Sequence, residues 1–222
     1  MSRRVAILRP EPGNAATAAR LRDAGLEPLS LPLFRVRALD WTPPGATAFD
    51  GLLLTSANAV RHGGTGLDQL IELPVLAVGS ATADAALAAG FTLACTGSSD
   101  VAELLHDAPE FNRLLWLTAR DRTAIEHPSL AAAIAVYASN AIPLADPALL
   151  RGSVALIHSA RAGVQLAAEL DRCAVPRSTV RIAAISGKAA AAAGPGWSAV
   201  AIATAPNDEA MIAAARPLAI DP

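Results

Sequence analysis

The stretch Leu52-Leu53-Leu54-Thr55-Ser56-Ala57-Asn58-Ala59-Val60 constrains this chain most, because it occurs twice. It reads as a buried strand stopped by two hydroxyl residues and turned into a helix. Val154-Ala155-Leu156-Ile157-His158-Ser159-Ala160-Arg161-Ala162 repeats the pattern and aligns Ser56 with Ser159, an offset of 103 (159 − 56). Val78-Gly79-Ser80-Ala81-Thr82-Ala83 aligns with Ile185-Ser186-Gly187-Lys188-Ala189-Ala190 at 107, and Gly90-Phe91 with Gly196-Trp197 at 106. Asp100-Val101-Ala102 meets Asp208-Glu209-Ala210 at 108, and Val5-Ala6-Ile7-Leu8 meets Leu114-Leu115-Trp116-Leu117 at 109. Five matches in one order, with offsets drifting by a few residues, describe two copies of one strand–helix domain.

The remaining pattern sets the class. Arg4 to Leu8 is a strand, followed by the turn-rich Arg9-Pro10-Glu11-Pro12-Gly13 and a helix capped by Asn14 that runs to about Ala24 and closes at Gly25. Leu29 to Leu33 is a strand, and Phe34 to Leu39 alternates apolar and basic residues as a half-exposed connecting strand does. Gly63-Gly64 cuts the helix after the nonapeptide short. A strand over Leu73 to Val78 follows, with a helix over Ala81 to Ala89, a strand over Thr92 to Cys95 and a helix capped by Ser98-Ser99-Asp100. After the strand Leu114 to Leu117, a helix near Ser129 to Ala133 and a strand over Ile134 to Tyr137 are expected. The second copy then gives strands over Val154–Ile157, Val180–Ile185 and Ala199–Ala203, helices over Arg161–Leu170 and Lys188–Ala193, and a last helix capped by Asn207.

Such alternation specifies an α/β protein of two similar doubly wound parallel-sheet domains. The first strand–helix–strand unit finds a partner only beyond Pro143, and the late unit Leu114–Tyr137 finds one in residues 49–106. The expected arrangement is a discontinuous domain of residues 1–36 and 142–222 with residues 37–141 inserted as the second. Linker segments 34–39 and 138–144 would form a two-stranded connection, a paired hinge with a ligand cleft between the domains.

Composition removes several function classes. A net charge of −2 and a pI near 6.1 argue against a nucleic-acid surface. No apolar run approaches the roughly 20 residues of a membrane span. Met1-Ser2-Arg3-Arg4-Val5 leads straight into a strand, so no secretory signal and a cytoplasmic location are expected. Cys95 and Cys173 fall in different copies, and His62, His106, His127 and His158 lack ligand spacing, so no disulfide and no metal is assigned. GxxxxGK[ST] and GxSxG are absent and no GxGxxG follows the first strand, which argues against a dinucleotide cofactor.

In a doubly wound sheet, ligands bind beyond the carboxyl ends of the strands. Those ends carry Arg9, Thr55-Ser56, Gly79-Ser80, Thr118 to Arg122, His158-Ser159 and Ser186-Gly187. Small hydroxyl residues there serve as helix caps, and the same turns present N–H groups that favour anions. Two such sets suit a large polyanion. Tyr137, the only tyrosine, admits two readings: a packing residue with a wet end, or a proton donor to a ligand.

Together these residues resemble the uroporphyrinogen-III synthase family. The resemblance runs through nearly the whole chain: Leu8-Arg9-Pro10, Gly25, Pro32-Leu33, Phe49-Asp50, Leu54 to Val60, Ala77 to Ala83, Arg120-Asp121-Arg122, Val136-Tyr137, His158 to Arg161, and Pro206 with Glu209-Ala210. It implies cofactor-free cyclisation of linear hydroxymethylbilane, which carries eight carboxylates, to uroporphyrinogen III. Water is lost and the terminal pyrrole ring inverts through a spiro intermediate. A cytoplasmic monomer is implied. Carried over residue by residue, Tyr137 becomes the catalytic candidate. The substrate-binding candidates are Arg9; Thr55, Ser56 and Asn58; Gly79, Ser80 and Thr82; Arg120; Ser159, Ala160 and Arg161; and Ser186, Gly187 and Lys188. The chain departs from the family pattern at Ala160, where a proline is usual, at Ala189, where a threonine is common, and at Ser139 of Val136-Tyr137-Ala138-Ser139, where the family has Val-Tyr-x-Thr. The departures at Ala160 and Ala189 motivate the alternative of a non-catalytic tetrapyrrole- or polyanion-binding module.

Overall fold

The computed structural model describes residues 3–97, 101–122 and 124–220. In chain order the elements are β1 (Val5–Ile7), α1 (Gly13–Asp23), β2 (Pro28–Ser30), β3 (Phe34–Ala38), β4 (Gly51–Leu54), α2 (Ala57–His62), β5 (Val75–Val78), α3 (Ser80–Ala88) and β6 (Leu93–Gly97). They continue with α4 (Val101–His106), β7 (Leu114–Ala119), β8 (Leu130–Ala141), β9 (Val154–Ile157), α5 (Ala160–Arg172), β10 (Arg181–Ala184), α6 (Gly187–Ala192), β11 (Ala199–Ile202) and α7 (Asp208–Ala219). The expected cap at Ser98-Ser99-Asp100 lies outside the described residues.

The chain divides into two compact units, Met1–Arg35 with Asn140–Pro222, and Val36–Ser139. The first is built on a five-stranded sheet of order β11-β10-β9-β1-β2, and the second on a six-stranded sheet of order β3-β8-β7-β4-β5-β6. Strand pairs β1–β2, β1–β9, β9–β10 and β10–β11 are parallel, as are β4–β5, β4–β7, β5–β6 and β7–β8. The fold is thus α/β with two parallel-sheet units. Leu39 N–H donates to the Val136 carbonyl and Ile142 N–H to the Leu33 carbonyl, so β3 and β8 run in opposite directions.

The internal offsets of the sequence are the pairing registers. Leu52 pairs with Val75 and Leu53 with Leu76; adding 103 and 107 gives Ala155–Ile182 and Leu156–Ala183, the partners between β9 and β10. Leu52–Leu115 becomes Ala155–Ala6 when 103 is added to the first number and 109 subtracted from the second. Leu76–Cys95 becomes Ala183–Ala201 under 107 and 106. Register is set by which side chains must be buried together, so a repeat in register is a repeat in core packing.

Two expectations fail. No helix forms near Ser129 to Ala133; residues 130–141 are one 12-residue strand. Alanine favours helix by propensity, which is what the run Ala131-Ala132-Ala133 suggests. Its burial instead alternates: Ala131 and Ala133 are exposed while Ala132 and Ile134 pack on the core. Pairing of Ala132, Ala133 and Ile134 with Leu115, Trp116 and Leu117 of β7 overrides propensity. Among the described residues no helix lies between β7 and β8, where α1 joins β1 to β2.

Asn14 is not the cap of α1. It lies inside the helix, buried, with Nδ2 donating to the Ile7 and Arg9 carbonyls and Oδ1 accepting from Ser30 Oγ. It ties β1, α1 and β2 together, and the Glu11 carboxylate takes over capping by accepting the Ala15 N–H at 3.0 Å. At the other end Gly25 adopts φ +71°, with Leu26 N–H on the Leu21 carbonyl and Gly25 N–H on that of Arg22. Only glycine enters that left-handed conformation without a Cβ penalty.

Candidate functional site

In the Val36–Ser139 unit, the carboxyl ends of the adjacent strands β8, β7, β4 and β5 gather Tyr137, Arg120, Thr55, Ser56, Asn58, Gly79, Ser80 and Thr82. Ser56 Oγ accepts the Asn58 N–H at 3.2 Å and caps α2, and Thr55 Oγ1 accepts the Trp116 indole N–H at 3.2 Å. Gly79, at φ +82°, precedes α3, whose first residue Ser80 is exposed; Thr82 is buried in the first turn. A capping hydroxyl that accepts from the helix still has its own O–H to donate to an anionic oxygen.

Tyr137 is only 8% exposed and shares the core face with its neighbour Val136. Consecutive strand residues normally face opposite sides. The pairing shifts between Thr118 and Ala119, which partner Ala135 and Tyr137, and this bulge turns both side chains inward. The Tyr137 carbonyl accepts the Arg120 N–H at 2.9 Å, so the β7 end is held beside it. The Arg120 guanidinium is exposed and engages Asp121, with Nη2 to Oδ2 at 3.1 Å. The His62 ring lies 6.3 Å from the Tyr137 ring, centroid to centroid. Burial, with a smaller contribution from the Arg61 charge, lowers the His62 pKa below its ordinary value, so near pH 7 it adds no charge beside the phenol.

In the discontinuous unit, the ends of β10, β9 and β1 carry the other candidates. Ser159 Oγ accepts the Ala162 N–H at 3.1 Å and caps the 13-residue α5, and Ser186 Oγ accepts the Ala189 N–H at 3.2 Å and caps α6. Ala160 opens α5, and the exposed Gly187 and Lys188 open α6. The Arg161 guanidinium lies 4.6 Å from the centroid of the Phe34 ring, within cation–π range.

Arg9 brings together residues that the sequence does not link. Its Nη1 lies 3.0 Å from Asp208 Oδ1; Thr17 Oγ1 donates to Oδ2 at 2.7 Å, Arg20 Nη1 reaches Oδ2 at 2.7 Å, and His158 Nε2 stands 3.4 Å from Oδ1. The last is a close polar contact without hydrogen-bond geometry. In the sequence Asp208 stands only as the match of Asp100 in the repeat; its place two residues after Pro206 and directly after the cap Asn207 is the available signal. Burial raises the Asp208 pKa, but His158, the Thr17 hydroxyl and the Arg9 charge lower it more, leaving it well below the ordinary 3.8. A carboxylate depressed in the folded state stabilises above its unfolded pKa, and that contribution is lost as pH falls through the range below it. Wild type should therefore lose more Tm than Asp208→Asn between about pH 6 and pH 3 in thermal melts; parallel profiles would contradict this assignment.

Among the described residues no group of three or more His, Cys, Asp or Glu side chains could hold a metal ion, and no helix is long and apolar enough to cross a membrane.

A family model described as uroporphyrinogen-III synthase HemD matches residues 15–213. No curated protein matches the chain. Among solved structures, a mutant uroporphyrinogen III synthase from the extremely thermophilic bacterium Thermus thermophilus aligns with 98% of this chain and 98% of its own at 18% identity and a TM-score of 0.48. A second structure of Thermus thermophilus uroporphyrinogen III synthase aligns with 98% of this chain and 99% of its own at 17% identity and a TM-score of 0.39.

Proposed function

The chain belongs to the uroporphyrinogen-III synthase HemD family, and on that footing we propose that it cyclises linear hydroxymethylbilane to uroporphyrinogen III without a cofactor. The match over residues 15–213 carries the reading, because it takes in most of both units and nearly every candidate residue. The chemistry at the strand ends supports it. Capped helix starts at Ser159 and Ser186, the Gly79-Ser80 turn and the side chains of Arg9, Arg161 and Lys188 are groups that receive carboxylates. Tyr137 is assigned the role of donor to the departing hydroxyl. Holding a flexible bilane in one conformation supplies the remaining effect.

A Cβ on Gly163 of α5 would stand 2.9 Å from the Ala189 carbonyl oxygen of α6, and Ala189 is buried. The backbones of the two helices approach closely there, which requires glycine at 163. The test is the rate of hydroxymethylbilane loss in quenched time points, with and without a chelator. Acceleration over spontaneous closure in proportion to protein, unaffected by the chelator, is expected. Binding of the bilane without acceleration would favour the non-catalytic module.

A further inference from the structure

We propose that Asp208 and Gly13 act together as positioning residues that hold the Arg9 guanidinium ready for a substrate carboxylate; this rests on the cyclase reading and deepens it. Arg9 follows β1 on a long, flexible side chain that would otherwise lose rotamer freedom on binding. Two contacts restrain it beforehand. Its Nη1 is held by Asp208 Oδ1 at 3.0 Å, and its guanidinium lies on Gly13, where a Cβ would stand 2.4 Å from Nε and 2.7 Å from Cζ.

The anchor is itself fixed. The second Asp208 oxygen takes Thr17 and Arg20 from α1, and His158 at the end of β9 closes on the first. One carboxylate thus faces two guanidinium groups. The Arg9 guanidinium donates no other hydrogen bond among the described residues, and the side chain remains 36% exposed. It borders an open hollow of about 510 Å³ lined also by Arg20, Asn207, Asp208 and the exposed Glu209. A guanidinium offers five N–H donors, so one tied by a single bond can still grip a carboxylate. Preorganising it lowers the cost of binding.

Gly13→Ala separates this role from a structural one. Gly13 is the first residue of α1 and is not among the positive-φ glycines, so alanine suits the backbone while its Cβ displaces the flexible end of Arg9. The readouts are kcat and KM for bilane cyclisation and Kd for uroporphyrin III, an octacarboxylate, by titration calorimetry. Gly13→Ala and Asp208→Asn should each raise KM and Kd about five- to thirtyfold, with kcat changed less than about twofold. In an Arg9→Met background, either change should add less than about twofold, because the group they act through is gone. Both variants within about twofold of wild type in Kd, or effects that persist undiminished in the Arg9→Met background, would overturn the proposal. A wild type that binds the porphyrin without turning over bilane fails the cyclase reading alone, and the Kd series still decides the role of Asp208. A wild type that does not bind the porphyrin overturns both.

Discussion

Tyr137→Phe should lower kcat for bilane cyclisation by about 10²–10⁴-fold, the range general acid catalysis supplies, while leaving thermal stability nearly unchanged. The ring belongs to the buried core that also holds Leu117 and Val136, and phenylalanine fills that space equally well. Only the hydroxyl is removed. The bulge at Ala119 fixes where the ring sits, and the His62 ring 6.3 Å away is held neutral by burial, so the phenol acts without a neighbouring imidazolium. Single-turnover kinetics with the two proteins would measure the change. A loss below about tenfold would assign Tyr137 to packing and leave protonation to water or the substrate's own carboxyl groups.

Leu156→Ala should destabilise the protein by about 3–5 kcal/mol, and Leu53→Ala by about 2–3 kcal/mol, measured as shifts in denaturant midpoint at unchanged slope. The two leucines are equivalent under the 103-residue offset, and both are fully buried in the middle of a central strand. What covers them differs. Leu156 lies in the core formed with Ala18 and Leu21 of α1 and Met211, Ile212 and Ala215 of α7, two helices that resist collapse into a cavity. Leu53 lies with Leu104 and Leu105 of α4, but also with Ala108, Phe111 and Ile125 from loops, which can relax further. Cavity cost rises with the volume that remains after relaxation, which sets the order. Equal losses would show that covering by loops in place of a second helix has no energetic consequence.

The repeat was the most legible part of the chain, because burial requirements repeat with register. Offsets of 103, 106, 107 and 109 translate directly into strand partners. The segment Ser129 to Ala133 reads as helix because alanine carries no strand signature of its own; the alternation is visible only against β7. Asn14 has the type and place of a cap, yet its amide bonds to Ile7, Arg9 and Ser30, which sequence alone does not bring together. The Asp208 cluster draws on Arg9, Thr17, Arg20 and His158, four residues on three chain segments with no shared spacing. Ser56, Ser159, Ser186 and Asn207 were legible as caps because capping is local chemistry, and each accepts an N–H from its own helix.

The most direct measurement is the isomer composition of the product. Hydroxymethylbilane incubated with the protein, oxidised to porphyrin and separated by chromatography should give predominantly the type III isomer, with the fraction rising with protein concentration. Spontaneous closure gives type I, in which no ring has inverted. A product that stays type I at saturating protein, from a chain that is folded by thermal melt, would contradict the assignment of this chain as the cyclising enzyme.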